Sequence, residues 1–131
     1  MGCDIKEPEG STGRTEKSKN REDLYIIVTT DTIGKDDDIG AVLMKGFLAT
    51  MLENRELPHT IFFMNAGVRL TTVNDETVAI LKSMEDLGVE IYSCGTCLDH
   101  YGMENRIMVG NRGATTQVIE GITDFRSVWI K

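Results

Sequence analysis

The residues Leu24-Tyr25-Ile26-Ile27-Val28-Thr29-Thr30 are apolar or β-branched at every position. A strand with one wet face alternates apolar and polar side chains. A strand without alternation needs cover on both faces, as in the interior of a parallel sheet. Thr60-Ile61-Phe62-Phe63-Met64 repeats the pattern, and Val89-Glu90-Ile91-Tyr92-Ser93 and Ser127-Val128-Trp129-Ile130 read as two more strands. Between these runs the period becomes helical. Ile39, Val42, Leu43, Gly46, Phe47, Thr50 and Met51 share a helix spacing. So do Val78, Leu81, Met84 and Leu87, and Val118, Ile119 and Ile122, which are expected to face inward. Asp36, Asp37 and Asp38 stand where the first helix needs caps. Asn74 is placed to cap the second, and Gly88 to end it. Residues 68–73 read as a loop with a short extended piece, residues 97–103 as a short helix, and 107–109 fit no element. Strands alternating with helices form βαβ units, whose right-handed crossovers give a parallel α/β sheet with helices on both faces, a three-layer fold.

The length of 131 residues fits one such domain. Residues 1–23 hold almost no large apolar side chain, so they are expected to be a disordered tail or linker, with the domain over 24–131. Cys3 lies in that tail. A net charge of −7 opposes binding to nucleic acid or an anionic membrane, both of which need a basic surface. No apolar run approaches the roughly 20 residues of a membrane span. The start of the sequence lacks the apolar core of a signal peptide. Met-Gly-Cys opens it, but Lys6 occupies the place where a myristoylation signal needs Ser or Thr. The expected compartment is the cytoplasm, where three cysteines stay reduced and build no disulfide framework.

Ligands of parallel sheets bind beyond the carboxyl ends of the strands. Three loops should meet there: residues 31–38, 65–68 and 94–97. The last carries Cys94-Gly95-Thr96-Cys97, a Cys-x-x-Cys at a strand-to-helix turn. Cys94 is expected at the rim of the sheet, with Gly95 allowing close backbone approach and Thr96 or Cys97 opening the helix. Amide N–H groups of such a turn favour a thiolate, whereas the nearby Asp99 carboxylate opposes it. Several chemistries share this pattern. Zinc needs about four ligands, and beyond this pair only His59, His100 and the distant Cys3 are at hand. A dithiol redox site, a Cys–His hydrolase using His100, and two inert cysteines in a binding module are the other readings. The acids at 36–38 suit capping better than a cation site. The first loop lacks the glycines of a phosphate cradle.

The residues Ile27-Val28-Thr29-Thr30-Asp31-Thr32-Ile33-Gly34, Asp37-Asp38-Ile39-Gly40, Leu57-Pro58-His59-Thr60-Ile61-Phe62-Phe63-Met64-Asn65-Ala66-Gly67-Val68 and Ser93-Cys94-Gly95-Thr96-Cys97-Leu98-Asp99 with Tyr101-Gly102 carry a family resemblance. They resemble the DsrE-like sulfur-relay family, and within it are similar to the C-terminal domain of YedF-type proteins, associated with selenium metabolism and sulfur transfer. The resemblance implies a sheet of about five strands with flavodoxin-like topology and a homo-oligomer. It implies a sulfur (or selenium) carrier that holds sulfane sulfur as a persulfide on Cys94, with no cofactor and no metal. Cys97 is an extra thiol that many members of the relay family lack; its place beside Cys94 would let it resolve the persulfide by forming a disulfide, or it would serve the structure. The partners implied are sulfur donor and acceptor proteins, a TusA-like domain among them. YedF-type proteins are similar to a fusion in which such a domain precedes this one; its Cys-Pro pair is absent here, so residues 1–23 resemble a linker remnant. Gly95, Thr96, Asp31, Thr32, Asn65 and Gly67 are the residues expected to shape the substrate rim around Cys94 and Cys97.

Overall fold

Five parallel strands form one sheet in the order β4-β3-β2-β1-β5 in the computed structural model, which describes residues 21–35 and 37–131. The chain runs through β1 (Arg21–Val28), α1 (Asp38–Asn54), β2 (Pro58–Phe63), a 3₁₀ helix (Asn65–Thr71), α2 (Asp75–Asp86), β3 (Glu90–Cys94), α3 (Gly95–His100), β4 (Asn111–Gly113), α4 (Thr115–Asp124) and β5 (Arg126–Ile130). The expected α/β architecture is present. The sheet is doubly wound, as in flavodoxin-type folds, but the strand beyond β1 is β5 rather than β2. The tail expected over residues 1–23 lies, up to residue 20, outside the described residues, as do Cys3 and Asp36. Strand β1 begins three residues before the expected Leu24.

The unbroken apolar run of β1 has a direct structural cause. Ile26 and Val28 face one core with Met44, Leu48, Ile61, Phe63, Leu81 and Met84. Tyr25 and Ile27 face a second, smaller core with Phe62, Cys94 and Val118. Helices α1 and α2 cover the first face and α4 the second. Asp37 caps α1 by accepting the Gly40 N–H at 3.0 Å, and Asn74 caps α2 by accepting the Thr77 N–H at 3.2 Å. Gly88 takes a positive φ of 102° just beyond α2.

Several expectations are corrected. The stripe of α1 read as its inner face points outward: Ile39 is 61 % and Val42 63 % exposed, and the buried side is Gly40, Met44 and Leu48. Helix α1 is apolar nearly all round, so periodicity could not choose its inner side. On α4, Val118 is buried as expected, but Ile119 and Ile122 are exposed and Gly121 packs on the Tyr25 ring instead. Leu87 at the end of α2 is exposed. Residues 65–71 wind as a 3₁₀ helix whose Val68 and Leu70 are buried, and α3 starts at Gly95, ahead of its expected start. Strand β4 escaped the sequence because Asn-Arg-Gly carries no apolar signal; backbone pairing with β3 defines it.

Candidate functional site

Strands β1, β2 and β3 end side by side, and the segments that follow them meet around the Cys-x-x-Cys. The 3₁₀ helix is locked onto these ends. Its buried Thr71 hydroxyl bonds the Ser93 hydroxyl at 2.6 Å, one residue before Cys94. Met64 N–H donates to the Val28 carbonyl at 2.9 Å. Gly67 sits so close to β1 that a Cβ there would lie 2.6 Å from the Val28 oxygen, which is why the position holds glycine.

Cys94 is the last residue of β3 and the N-cap of α3. It is 5 % exposed and packs in the second core, so the bare sulfur expected at the rim is not what the fold provides. Nor does its sulfur cap the helix. The amide expected for Cys94 is found on its neighbour: Asn65 N–H donates to Cys97 Sγ at 3.0 Å. Cys97 is half-buried and opens toward solvent. Burial raises the Cys97 thiol pKa above its ordinary value. A hydrogen bond between its thiol and Cys94 pushes the same way, while the Asn65 amide opposes both. Cys97 therefore holds its proton more firmly than an ordinary thiol.

Asn65 is fixed from two sides. Its backbone has a φ of 53°, a left-handed conformation that asparagine tolerates better than most residues. Its side-chain oxygen accepts from the Tyr101 hydroxyl at 3.0 Å. Arg69 lies over the Tyr101 ring, 4.9 Å from its centre, and pairs with Asp31 at 3.6 Å. Asp31, Arg69, Tyr101, Asn65 and Cys97 thus form one continuous chain of contacts.

On the other side stands Arg112, from β4. Its guanidinium makes two bonds of 2.9 Å to the Asp99 carboxylate. Those bonds hold the Asp99 carboxyl below the usual carboxylate range, and raise Arg112 in turn, with Cys94 adding to that rise. The expected opposition of Asp99 to a thiolate is therefore largely cancelled by a cation the sequence gave no reason to place here. Gly95 is what admits that cation: a Cβ would lie 2.7 Å from Arg112 Nε.

Of the residues expected at the site, Asp31, Asn65, Gly95, Cys94 and Cys97 come together. Thr96 is exposed on α3. Thr32 is buried against Gly40 and contacts the Thr30 hydroxyl at 3.5 Å, and Gly67 supports the backbone, so both act on the frame. Arg69, Tyr101 and Arg112 were missed; only Tyr101 had a signal, its place in the Tyr-Gly after the motif. His100 is exposed and edges the Tyr101 ring. His59 lies at the opposite end of its strand, against Phe125. No group of three or more His, Cys, Asp or Glu side chains among the described residues is arranged to hold a metal. No helix among them is long and apolar enough to cross a membrane.

Comparison with known proteins agrees with this architecture. The sequence model of the DsrE/DsrF-like family matches residues 23–127. No curated protein matches the chain significantly in sequence. The crystal structure of the ychN protein from E. coli is similar in fold, with a TM-score of 0.61 at 14 % identity, over 82 % of this chain and 97 % of that one. A conserved protein of unknown function, BT1422 from Bacteroides thetaiotaomicron, gives 0.55 at 14 % identity, over 82 % and 95 %.

Proposed function

The chain belongs to the DsrE/DsrF-like family, and on that premise we propose that it is a sulfur carrier of the sulfurtransferase type, holding sulfane sulfur on Cys94. The observation that carries the reading is the setting of Cys94 at the end of β3. Cys97 stands one turn of α3 further on, and the Arg112 guanidinium packs against Gly95, the residue that follows Cys94.

Cys94 thiolate attacks the outer sulfur of a donor protein's persulfide. The donor's S–S bond breaks, its cysteine leaves as a thiolate, and Cys94 becomes a persulfide. An acceptor thiolate then takes the outer sulfur and Cys94 leaves as thiolate. Burial of Cys94 shields the loaded sulfur from small thiols and makes partner docking the condition for transfer. The likeness to YedF-type C-terminal domains extends the proposal to a TusA-like donor, to the cytoplasm and to selenium as an alternative cargo. It also extends it to a homo-oligomer, for which the outward stripe of Ile39, Val42 and Leu43 supplies an apolar surface.

Radiolabelled cysteine and a cysteine desulfurase test the reading. Label should pass to the wild-type chain, be removed by a thiol reductant once the chain is denatured, and be absent from Cys94→Ser. Equal labelling of wild type and Cys94→Ser contradicts it. Thiol–disulfide exchange is the second reading, favoured by the contact between the two thiols. It requires a reversible Cys94–Cys97 disulfide without any sulfur cargo.

A further inference from the structure

The chain of contacts from Asp31 to Asn65 ends on Cys97, not on Cys94. A carrier needs one cysteine. Yet three side chains and a left-handed asparagine aim an amide at the second one. Cys97 also packs against the cluster that contains Cys94, three residues away on the first turn of α3. The two thiols lie one helical turn apart and interact.

We propose that Cys97 discharges the Cys94 persulfide as free sulfide, making this site a releaser of sulfide (or selenide) as well as a carrier. This rests on the carrier reading above. Cys97 Sγ attacks the inner sulfur, Cys94 Sγ. The bond between Cys94 Sγ and the sulfane sulfur breaks, and that sulfur departs with the electron pair as hydrosulfide, matched by the proton Cys97 gives up. A Cys94–Cys97 disulfide forms. The sulfane sulfur is reduced by two electrons and the two cysteine sulfurs supply them, so no outside oxidant takes part. An external dithiol reductant then restores both thiols by exchange.

Each placed group has a part in that step. The Asn65 N–H stabilises the anion that develops on Cys97 as its proton leaves. Tyr101 and Arg69 keep that amide in place and are positioning residues. Cys97 rests as the thiol, which its burial favours, and loses its proton as it attacks.

The test follows loaded protein under anaerobic conditions. Wild type, Cys97→Ser and Tyr101→Phe are loaded with a cysteine desulfurase and cysteine, and the small molecules are removed. Released sulfide is then assayed alongside intact mass. Wild type should release close to one sulfide per loaded chain and end two hydrogens lighter than its reduced form. Cys97→Ser should keep the added sulfur, and Tyr101→Phe should load normally but release several-fold more slowly. Equal retention by wild type and Cys97→Ser overturns the release step and leaves the carrier reading standing. Equal release by both overturns it too. Failure of every variant to load removes the carrier reading, and the release step with it.

Discussion

At the scale of single residues, the two cysteines divide the work by their surroundings. Cys94 is inside and Cys97 is partly outside. In the native protein, a small alkylating reagent should therefore modify Cys97 first and Cys94 slowly, an order that peptide mapping reads directly. Arg112→Leu removes the cation beside Cys94 and should slow Cys94 alkylation several-fold at neutral pH. Added salt should narrow the difference, because the guanidinium is exposed and screened. Tyr25 gives a pH prediction. Burial, with smaller repulsion from Tyr92, Glu120 and Glu90, pushes its hydroxyl up to about 12 from an ordinary value of 10.0. The folded state holds that proton longer than the unfolded state does. The stabilisation is present below about pH 10 and is lost as pH rises toward 12. Urea unfolding of Tyr25→Phe should thus show a shallower fall in stability across that window. At neutral pH it should cost about 1 kcal/mol, from the bond its hydroxyl makes to the Gln117 carbonyl. The cysteines were legible in the sequence because their spacing is a pattern. Arg112 was not, because nothing in Asn111-Arg112-Gly113 says that three polar residues will pair with β3.

At the scale of elements, the site depends on how tightly the 3₁₀ helix seats against β1. Gly67→Ala would drive a methyl group against the Val28 carbonyl, a backbone atom that cannot swing aside. The expected loss is about 1–3 kcal/mol of unfolding free energy, with slower sulfide release as Asn65 moves with the helix. Asp37→Ala removes the cap of α1 and should cost about 1 kcal/mol. Denaturant titration measures both. The strands were legible from their apolar runs, and α2 from its single apolar face. The inner face of α1 was not, since Met44 and Leu48 compete with Ile39, Val42 and Leu43 for the same periodicity. Only packing against β1 and β2 decides between them. The 3₁₀ helix was missed for a related reason: short tight helices carry no amphipathic period long enough to read.

At the scale of the whole molecule, a doubly wound sheet brings three strand ends to one edge, and the family function of sulfur relay fits an edge that presents a dithiol. The two faces are covered unequally, and α1 turns an apolar stripe to solvent. If that stripe joins copies of the chain, Leu43→Asp should shift the native mass toward the monomer in light scattering while leaving the fold intact by circular dichroism. An unchanged mass would place the subunit contact elsewhere. The central claim, that Cys94 takes sulfur from a persulfide donor, is tested most directly by mapping where the sulfur lands. Cys97→Ser and Cys94→Ser proteins are treated with a cysteine desulfurase and cysteine, trapped with an alkylating reagent and digested. The account predicts one added sulfur on the Cys94 peptide of Cys97→Ser and none anywhere in Cys94→Ser. Sulfur absent from Cys94, or taken up equally when Cys94 is gone, would contradict it.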